Sequence, residues 1–512
     1  MTDPTERRNQ NLFARFSRHF PDDLNKVLLT MSDGTTYTYA DALDESARLA
    51  LCLSDLGLKP GDRVTVQVEK SPMAVWLYLA CLRAGFVFHP LNTGYQFDEL
   101  VYFVDNADPS IIVCDPTQEQ LFRELTKTRN CEVLTLDADG EGQLRDAAQE
   151  APPEFSICTR KESDLAVLLY SSGTTGIPKG AMLSHGNLSA NTATLVDYWG
   201  FSSADTLLHA LPIYHAHGLF VGLGCVLMSG ASMRFLPQFN PADVLAALPH
   251  STVMMGVPTF YIRLLKEQRF NKDACSYMRL FISGSAPLLA TTFTEFEERT
   301  GHTMLERYGM TETSMNASNP LEGERRPGSV GLALPDVSLR VVDNDENELP
   351  AGEIGNLQIH GPNVFSGYWR MREKTAEEFT GDGYFRTGDQ AIIESDGYIS
   401  IVGRAKDLVI SGGMNVYPRE VEAVLDALPE VSESAVIGTP HPDFGEGVIA
   451  VVVANADTDI KGPELIDQLR PRMAAYKLPK QVFMVAELPR NSMGKVQKTL
   501  LREQYGDIFT AE

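Results

Sequence analysis

The sequence predicts an α/β protein. It has a large body of mixed, mostly parallel sheets flanked by helices, a small β-rich subdomain, and a small mobile α+β domain at the C-terminus. Three observations carry this. From about residue 60, short β-branched runs alternate with helical patterns, as parallel strands joined by crossover helices do. After about residue 328 the segments become shorter, alternating and punctuated by Asp-Gly, which favours hairpins. Past 403–407 lies a compact unit with its own strands and helices. A chain of 512 residues has room for two to four domains at roughly 100–200 residues each. The expected division is 1–403, with 329–403 as its β-rich part, and 404–512.

The elements follow in order. RVTVQV (63–68) precedes the helical SPMAVWLYLACLRAG (71–85), then come VFHPL, a polar helix-like stretch and IIVC (111–114). The alternation resumes at LAVLLY (165–170), TVMMGV (252–257) and LFIS (280–283). Between them, Thr206 to Met233 is the longest uncharged stretch, broken by histidines, a proline and glycines, and reads as a buried segment rather than a membrane span. SLRVVD, GNLQIH and the hairpin of 384–403 form the β-rich part; the hairpin is expected to put Asp389 and Arg404 at opposite ends of adjacent strands. The last unit offers strands ESAVIG, VIAVVVA and QVFMVA and helices near 418–428 and 463–475.

Composition excludes several classes. With 44 Lys+Arg against 68 Asp+Glu the net charge is −24, which repels nucleic acid polymers and anionic membranes. A hydrophobic fraction of 43% with 22% charged residues excludes a disordered or collagen-like chain. The seven cysteines include no Cys-x-x-Cys and sit among apolar neighbours, so buried reduced thiols are expected. MTDPTERRNQ has no apolar leader core and IFTAE is no lipidation or peroxisomal signal, so a soluble cytoplasmic protein is expected. Within the acidic chain, 461–502 holds nine Lys+Arg against three Asp+Glu, which reads mostly as a solvated basic face.

Tyr170 to Gly180, YSSGTTGIPKG, packs three glycines, four hydroxyl residues besides the tyrosine and Lys179 behind an apolar strand. Close backbone N–H groups, hydroxyl donors and one cation are what phosphate oxygens need. It is not the common G-x-x-x-x-G-K-[ST] loop, and a flexible surface turn is the alternative. Ser283-Gly284-Ser285-Ala286-Pro287 follows a short strand as a strand-ending turn; its small residues let backbone lie against a flat ring, and it is no nucleophile elbow. Arg307-Tyr308-Gly309-Met310-Thr311-Glu312-Thr313 is by itself a turn or helix cap. His215 and His217 alternate like metal ligands, yet no third ligand accompanies them, so zinc is not expected. Lys495, on the glycine-flanked loop 489–498, reads alone as a solvated cation, and Arg263 as an arginine snorkelling from an apolar helix.

YSSGTTGIPKGAMLSHGN resembles the phosphate-loop signature of the acyl- and aryl-CoA synthetases, luciferases and non-ribosomal adenylation domains, and further motifs match in order from about Thr36 to Lys498. The resemblance implies ATP and coenzyme A as co-substrates and Mg²⁺ as cofactor. It implies that Ser171, Ser172, Gly173, Thr174, Thr175, Gly176 and Lys179 hold phosphates. Gly284, Ser285 and Ala286, with Arg307, Tyr308 and Gly309, border the nucleotide; Thr311 contacts the α-phosphate and Glu312 ligates the metal. Asp389 holds the ribose with Arg404 in support, and Lys495 stabilises the adenylation charge. His215 adjusts between half-reactions beside a pocket lined by His217 and Met310. The C-terminal domain turns about Lys406, presenting Ser411, Gly412 and Gly413 to a coenzyme A channel. GVPTFYIRLL, LFISGSAPLLA, YGMTETSMNASNP and PHPDFGEGV are similar to the malonate-activating branch, in which Arg263 and Ser285 would bind the distal carboxylate. Malonate or methylmalonate is the acid this implies. A synthetase for another short or medium-chain acid, an enzyme loading a carrier protein, and a non-catalytic nucleotide-binding regulator are the rival readings.

Overall fold

The computed structural model describes residues 9–95, 97–171, 178–411, 414–441, 444–456, 458–473, 475–491 and 494–509. Two sheets form the body. In the six-stranded sheet the order is Glu132–Thr135, Ile111–Cys114, Arg63–Gln67, Val87–Pro90, Leu165–Ser171 and Lys179–Ser184. All pairs in it are parallel except the last, where Lys179–Ser184 returns antiparallel along Leu165–Ser171. The expected alternation is present. Helix Pro72–Ala84, for example, starts at Ser71, whose side chain accepts from the Ala74 N–H, and stops at Gly85 in the left-handed conformation.

The nine-stranded sheet is parallel through its centre, from Leu305–Met310 across Leu280–Ser283, Val253–Gly256, Thr206–His209 and Ser232–Phe235 to Val27–Thr30. Antiparallel strands close both edges. The uncharged stretch from Thr206 is buried, as expected, and contributes two of the central strands. A third, four-stranded antiparallel sheet (Ser338–Val342, Gly355–His360, Phe385–Ile393, Ile399–Arg404) is the β-rich part. Asp389 lies mid-strand rather than at a strand end and pairs directly with Arg404, the last residue of the neighbouring antiparallel strand, beside a one-residue register shift at Gln390/Ala391.

Ile399–Arg404 leads into a tight turn at Ala405–Asp407, after which a five-stranded sheet begins. Its central hairpin, Val431–His441 with Gly445–Ala454, alternates with period two. Val436, Val448, Ala450 and Val452 pack with Val421, Leu425, Leu465 and Leu469 from helices Pro418–Asp426 and Gly462–Leu469. Ala435, Ile437, Ile449 and Val451 face the other way, onto Leu501 of helix Lys498–Tyr505.

Most cations of the basic stretch are solvent-exposed, as expected, but several are neutralised within their own domain. Lys477 pairs with Glu420, Arg490 with Glu433, Lys498 with Glu422 at 2.6 Å and Arg502 with Asp407 at 2.6 Å, all carboxylates from 407–433. Arg470 pairs with Asp467. All seven cysteines are free thiols, and no helix among the described residues is long and apolar enough to cross a membrane.

Candidate active site

A cleft forms where strand ends from three sheets converge on the 494–496 loop. Carboxyl ends of parallel strands are where open α/β sheets bind ligands. Ser171, His209, Gly256, Ser283 and Met310 are each the last residue of a strand there.

One half of this cleft is bound to itself. Ser171 Oγ donates to Glu312 Oε1 at 2.8 Å and the Tyr368 hydroxyl to the same oxygen at 3.0 Å, while Oε2 takes no hydrogen bond among the described residues. Glu312 is buried, with Thr311 half-buried beside it. Lys179 is buried too, 3.5 Å from Glu378 and over the Tyr368 ring. Asp389 receives the Tyr308 hydroxyl on Oδ2 at 2.5 Å and Arg404 Nε on Oδ1 at 2.7 Å. Each of its oxygens keeps acceptor capacity for a further donor.

Lys495 reaches the same place from the small domain. Its hairpin is tied by Asn491 N–H to Lys495 O (3.0 Å), Lys495 N–H to Asn491 Oδ1 (2.9 Å) and Gly494 N–H to Asn491 O (2.9 Å). Arg490 braces the turn by donating to Gly494 O at 2.5 Å. Gly494 (φ +74°) sits so close to Thr259 that a Cβ there would lie 3.0 Å from its hydroxyl oxygen. Surrounding protein and then the Arg404 guanidinium lower the Lys495 pKa, and Asp389 opposes them, so the ammonium lies within reach of that ion pair's field. It stays open to solvent and holds no ion pair among the described residues.

The other half is different. Arg307, in strand Leu305–Met310 of the nine-stranded sheet, is 3% exposed, and its Nε and Nη2 have no hydrogen-bond partner among the described residues. It lies on the Ser283–Pro287 turn, where any side chain at Gly284 would overlap its guanidinium. Burial lowers its pKa to about 10, so it remains charged. Ser285, in that turn, holds a left-handed backbone (φ +70°), a strained conformation for a non-glycine residue, and its hydroxyl stands 3.2 Å from His217 Nδ1. His217 is buried, and neither its Nε2 nor the Ser283 hydroxyl has a partner among the described residues. His215 is held near pKa 4 by burial, then by Arg307 and Lys495, so its imidazole is neutral within the field of both cations. Glu306 is pushed up to about 7 by burial; Oε1 accepts from the Leu288 N–H, tying the strand to the turn.

The structure therefore brings together Ser171, Lys179, Gly284, Ser285, Arg307, Tyr308, Glu312, Asp389, Arg404, His215, His217 and Lys495. Ala286 and Met310 are half-buried in the same segments. Ser172, Gly173, Thr174, Thr175, Gly176, Gly412 and Gly413 lie outside the described residues; Ser411 is buried at the end of Val409–Ser411. Lys406 is in the turn between the two parts. Arg263 is exposed on helix Pro258–Leu265, one turn beyond Thr259 and so on the face that meets Gly494, and its side chain makes no hydrogen bond or ion pair among the described residues. Sequence reading missed Tyr368, Thr259 and the π-helical turn His217–Gly222, which no local motif announces.

Comparison with known proteins matches this geometry. Residues 13–369 match the model described as AMP-binding enzyme, and 420–495 that of the AMP-binding enzyme C-terminal domain. ATP-bound MatB from Rhodopseudomonas palustris is 52% identical, with a TM-score of 0.96 over 98% of this chain and 100% of that one. The apo form of the same protein, at equal identity and coverage, scores 0.85, so the arrangement here is nearer the ATP-bound one. Among curated relatives, feruloyl-CoA synthase of Amycolatopsis sp is 36% identical over 479 residues, covering 92% of this chain and 95% of that one. The mitochondrial malonate–CoA ligase of Mus musculus is 35% identical over 512 residues, covering 92% and 87%. With residues 13–369 and 420–495 both matched, the chain belongs to the AMP-binding enzyme family.

Proposed function

We propose that the protein is an ATP-dependent, AMP-forming ligase that activates malonate as an acyl adenylate and transfers it to coenzyme A, giving malonyl-CoA, AMP and pyrophosphate. One observation carries the choice of acid: the buried, charged and half-unpaired Arg307 beside Ser285 and His217. An unpaired buried cation is costly, and a second carboxylate on the substrate relieves it where a methyl or phenyl group does not. The 35% identity to a malonate–CoA ligase supports this reading; the 36% identity to a feruloyl-CoA synthase shows that overall similarity does not choose the acid. In this proposal Arg307 and Ser285 receive the distal carboxylate, with Arg263 at the mouth, and methylmalonate differs by one methyl group, worth about 1–3 kcal/mol in a pocket.

The reaction divides between the halves. A malonate oxygen attacks the α-phosphorus, a P–O bond forms, and the bond to the β-phosphate breaks as pyrophosphate leaves. Lys495 meets the negative charge that builds there, Lys179 and Ser171 hold the phosphate end, and Asp389 accepts from the ribose hydroxyls. His215, neutral near pH 7, packs against the reacting carboxylate without competing for it as a cation. Mg²⁺ fits Glu312, whose Oε2 is uncommitted among the described residues, and when bound supplies positive charge to the phosphates. The part from residue 404 onward then turns about Lys406, withdrawing Lys495 and bringing the loop after Ser411 to the thiol. The thiol sulfur attacks the acyl carbon, the C–O bond to AMP breaks, and the thiol proton passes to solvent.

Product analysis tests this. Malonate, ATP, Mg²⁺ and coenzyme A together should yield malonyl-CoA and AMP in equal amounts, and omitting any one should abolish both. Formation of ADP, or of no acyl-CoA, would overturn the proposal.

A further inference from the structure

Lys70 is a buried cation for which the chemistry above has no use. It lies between strand Arg63–Gln67 and Ser71, the cap of helix Pro72–Ala84, and is 8% exposed. From there it crosses to the nine-stranded sheet. Its ammonium donates to the carbonyls of His209 (2.8 Å) and Leu236 (2.6 Å), sits 2.9 Å from His209 Nδ1, and stacks on the Phe235 ring. No carboxylate pairs with it among the described residues. A lone buried charge costs stability that an apolar chain of the same length would not, so packing alone does not account for it.

The hydrogen-bond directions are fixed. His209 Nε2 stands 2.9 Å from the carbonyl of Gly218, which only accepts, so Nε2 carries the proton. Burial holds the His209 pKa near 3, so the ring is neutral and Nδ1 must accept from Lys70. Gly218 is the second residue of the π-helical turn His217–Gly222. At the other end of that turn, Gly222 packs on the same imidazole, so closely that a Cβ would lie 3.1 Å from Nε2. His209 therefore braces both ends of an irregular turn of a kind that recurs at functional sites. The turn begins with His217, whose Nδ1 faces the Ser285 hydroxyl.

We propose that Lys70 and His209 are positioning residues for the acid pocket: they hold the π-helical turn so that His217 and Ser285 meet the acid, and they set acid selectivity without touching substrate. This rests on the ligase reading, and wild-type ATP–pyrophosphate exchange with malonate separates the two. No exchange in the wild type sinks the ligase reading; exchange there with unaltered variants sinks only this one.

Lys70→Met should raise the KM for malonate roughly tenfold or more, since sub-ångström displacement of a reacting group is that costly, while the KM for ATP stays within about twofold. Its preference for malonate over propionate should fall by a similar factor. The decisive pair is at His209. The amide nitrogen of His209→Gln reaches where Nε2 does and can donate to Gly218, whereas His209→Phe keeps the ring and loses the donor. Gln should retain most of the malonate preference and Phe should lose it. Equal behaviour of the pair, or losses that fall equally on malonate and ATP, would overturn the assignment even if Lys70→Met does not fold.

Discussion

The two halves of the cleft are built on opposite plans. On the nucleotide side Asp389 takes Arg404 and Tyr308, Glu312 takes Ser171 and Tyr368, and Lys179 faces Glu378. On the side proposed for the acid, Arg307 leaves Nε and Nη2, His217 leaves Nε2 and Ser283 leaves its hydroxyl without a partner among the described residues. A self-paired half is rigid before ligand arrives, so its groups lose little on ordering around ATP. A half with orphaned donors holds unspent hydrogen-bonding capacity, which only a ligand with matching acceptors recovers. Under the proposed function the contrast teaches where selectivity would sit: a ligand common to the family would meet the finished half, and the variable acid the unfinished one.

Lys495 serves both halves, so its removal should be largest. Lys495→Ala should slow adenylation by about 10²–10³-fold, the usual loss of a transition-state charge partner, and leave thioester formation from supplied malonyl adenylate nearly intact. Half-reaction kinetics check this, and equal losses in both steps would contradict it. Next, Arg307→Met should weaken malonate use about 10–100-fold, as for a lost hydrogen bond to a charged group. Because it removes an unpaired buried charge, Arg307→Met should also raise or preserve Tm in a thermal melt. Asp389→Ala should show the reverse pattern: KM for ATP up about tenfold with Tm lowered, since Arg404 and Tyr308 lose their acceptor. Arg263→Ala, at an exposed position, should cost malonate kcat/KM only about twofold to fivefold.

The smallest effect is on pH stability. Burial holds His89, His185 and His209 near pKa 3 and His215 near 4, all below the ordinary 6.5. As pH falls from about 6.5 toward 4, the unfolded chain takes up protons that these folded rings refuse, so stability should fall. Glu306 and Asp426, raised by burial to about 7, work the other way: their contribution is complete below the ordinary carboxyl range and is lost as pH rises through 7. Four rings outweigh two carboxyls, so Tm should drop on acidification below about 6.5. A Tm that rises over that range would contradict the assignment of neutral rings.

The same contrast governs what the sequence disclosed. Tyr308, Glu312, Asp389 and Lys495 were legible through the family resemblance, because they sit in short contiguous motifs that such a resemblance can carry; read alone, their segments were a turn and a solvated cation. The parallel strands at 63–68, 165–170 and 280–283 were legible from their β-branched runs, but the end of the helix expected near 463–475 was not: it stops six residues earlier, at Leu469, where packing sets it. No local motif marks Lys70, because its partners are 139 and 166 residues away. The π-helical turn has the composition of an ordinary helix, and its extra residue depends on His209 against Gly222. The basic stretch 461–502 looked open because Glu420, Glu422 and Glu433, which neutralise it, come from the first half of the same domain.

The central claim is that the unfinished half awaits a second carboxylate. ATP–pyrophosphate exchange by the wild-type protein across malonate, methylmalonate, propionate and ferulate at equal concentration tests it most directly. The account predicts fast exchange with malonate, and with propionate and ferulate rates lower by tenfold or more, about the worth of one charged hydrogen bond. Exchange with propionate or ferulate that equals or exceeds that with malonate would contradict it.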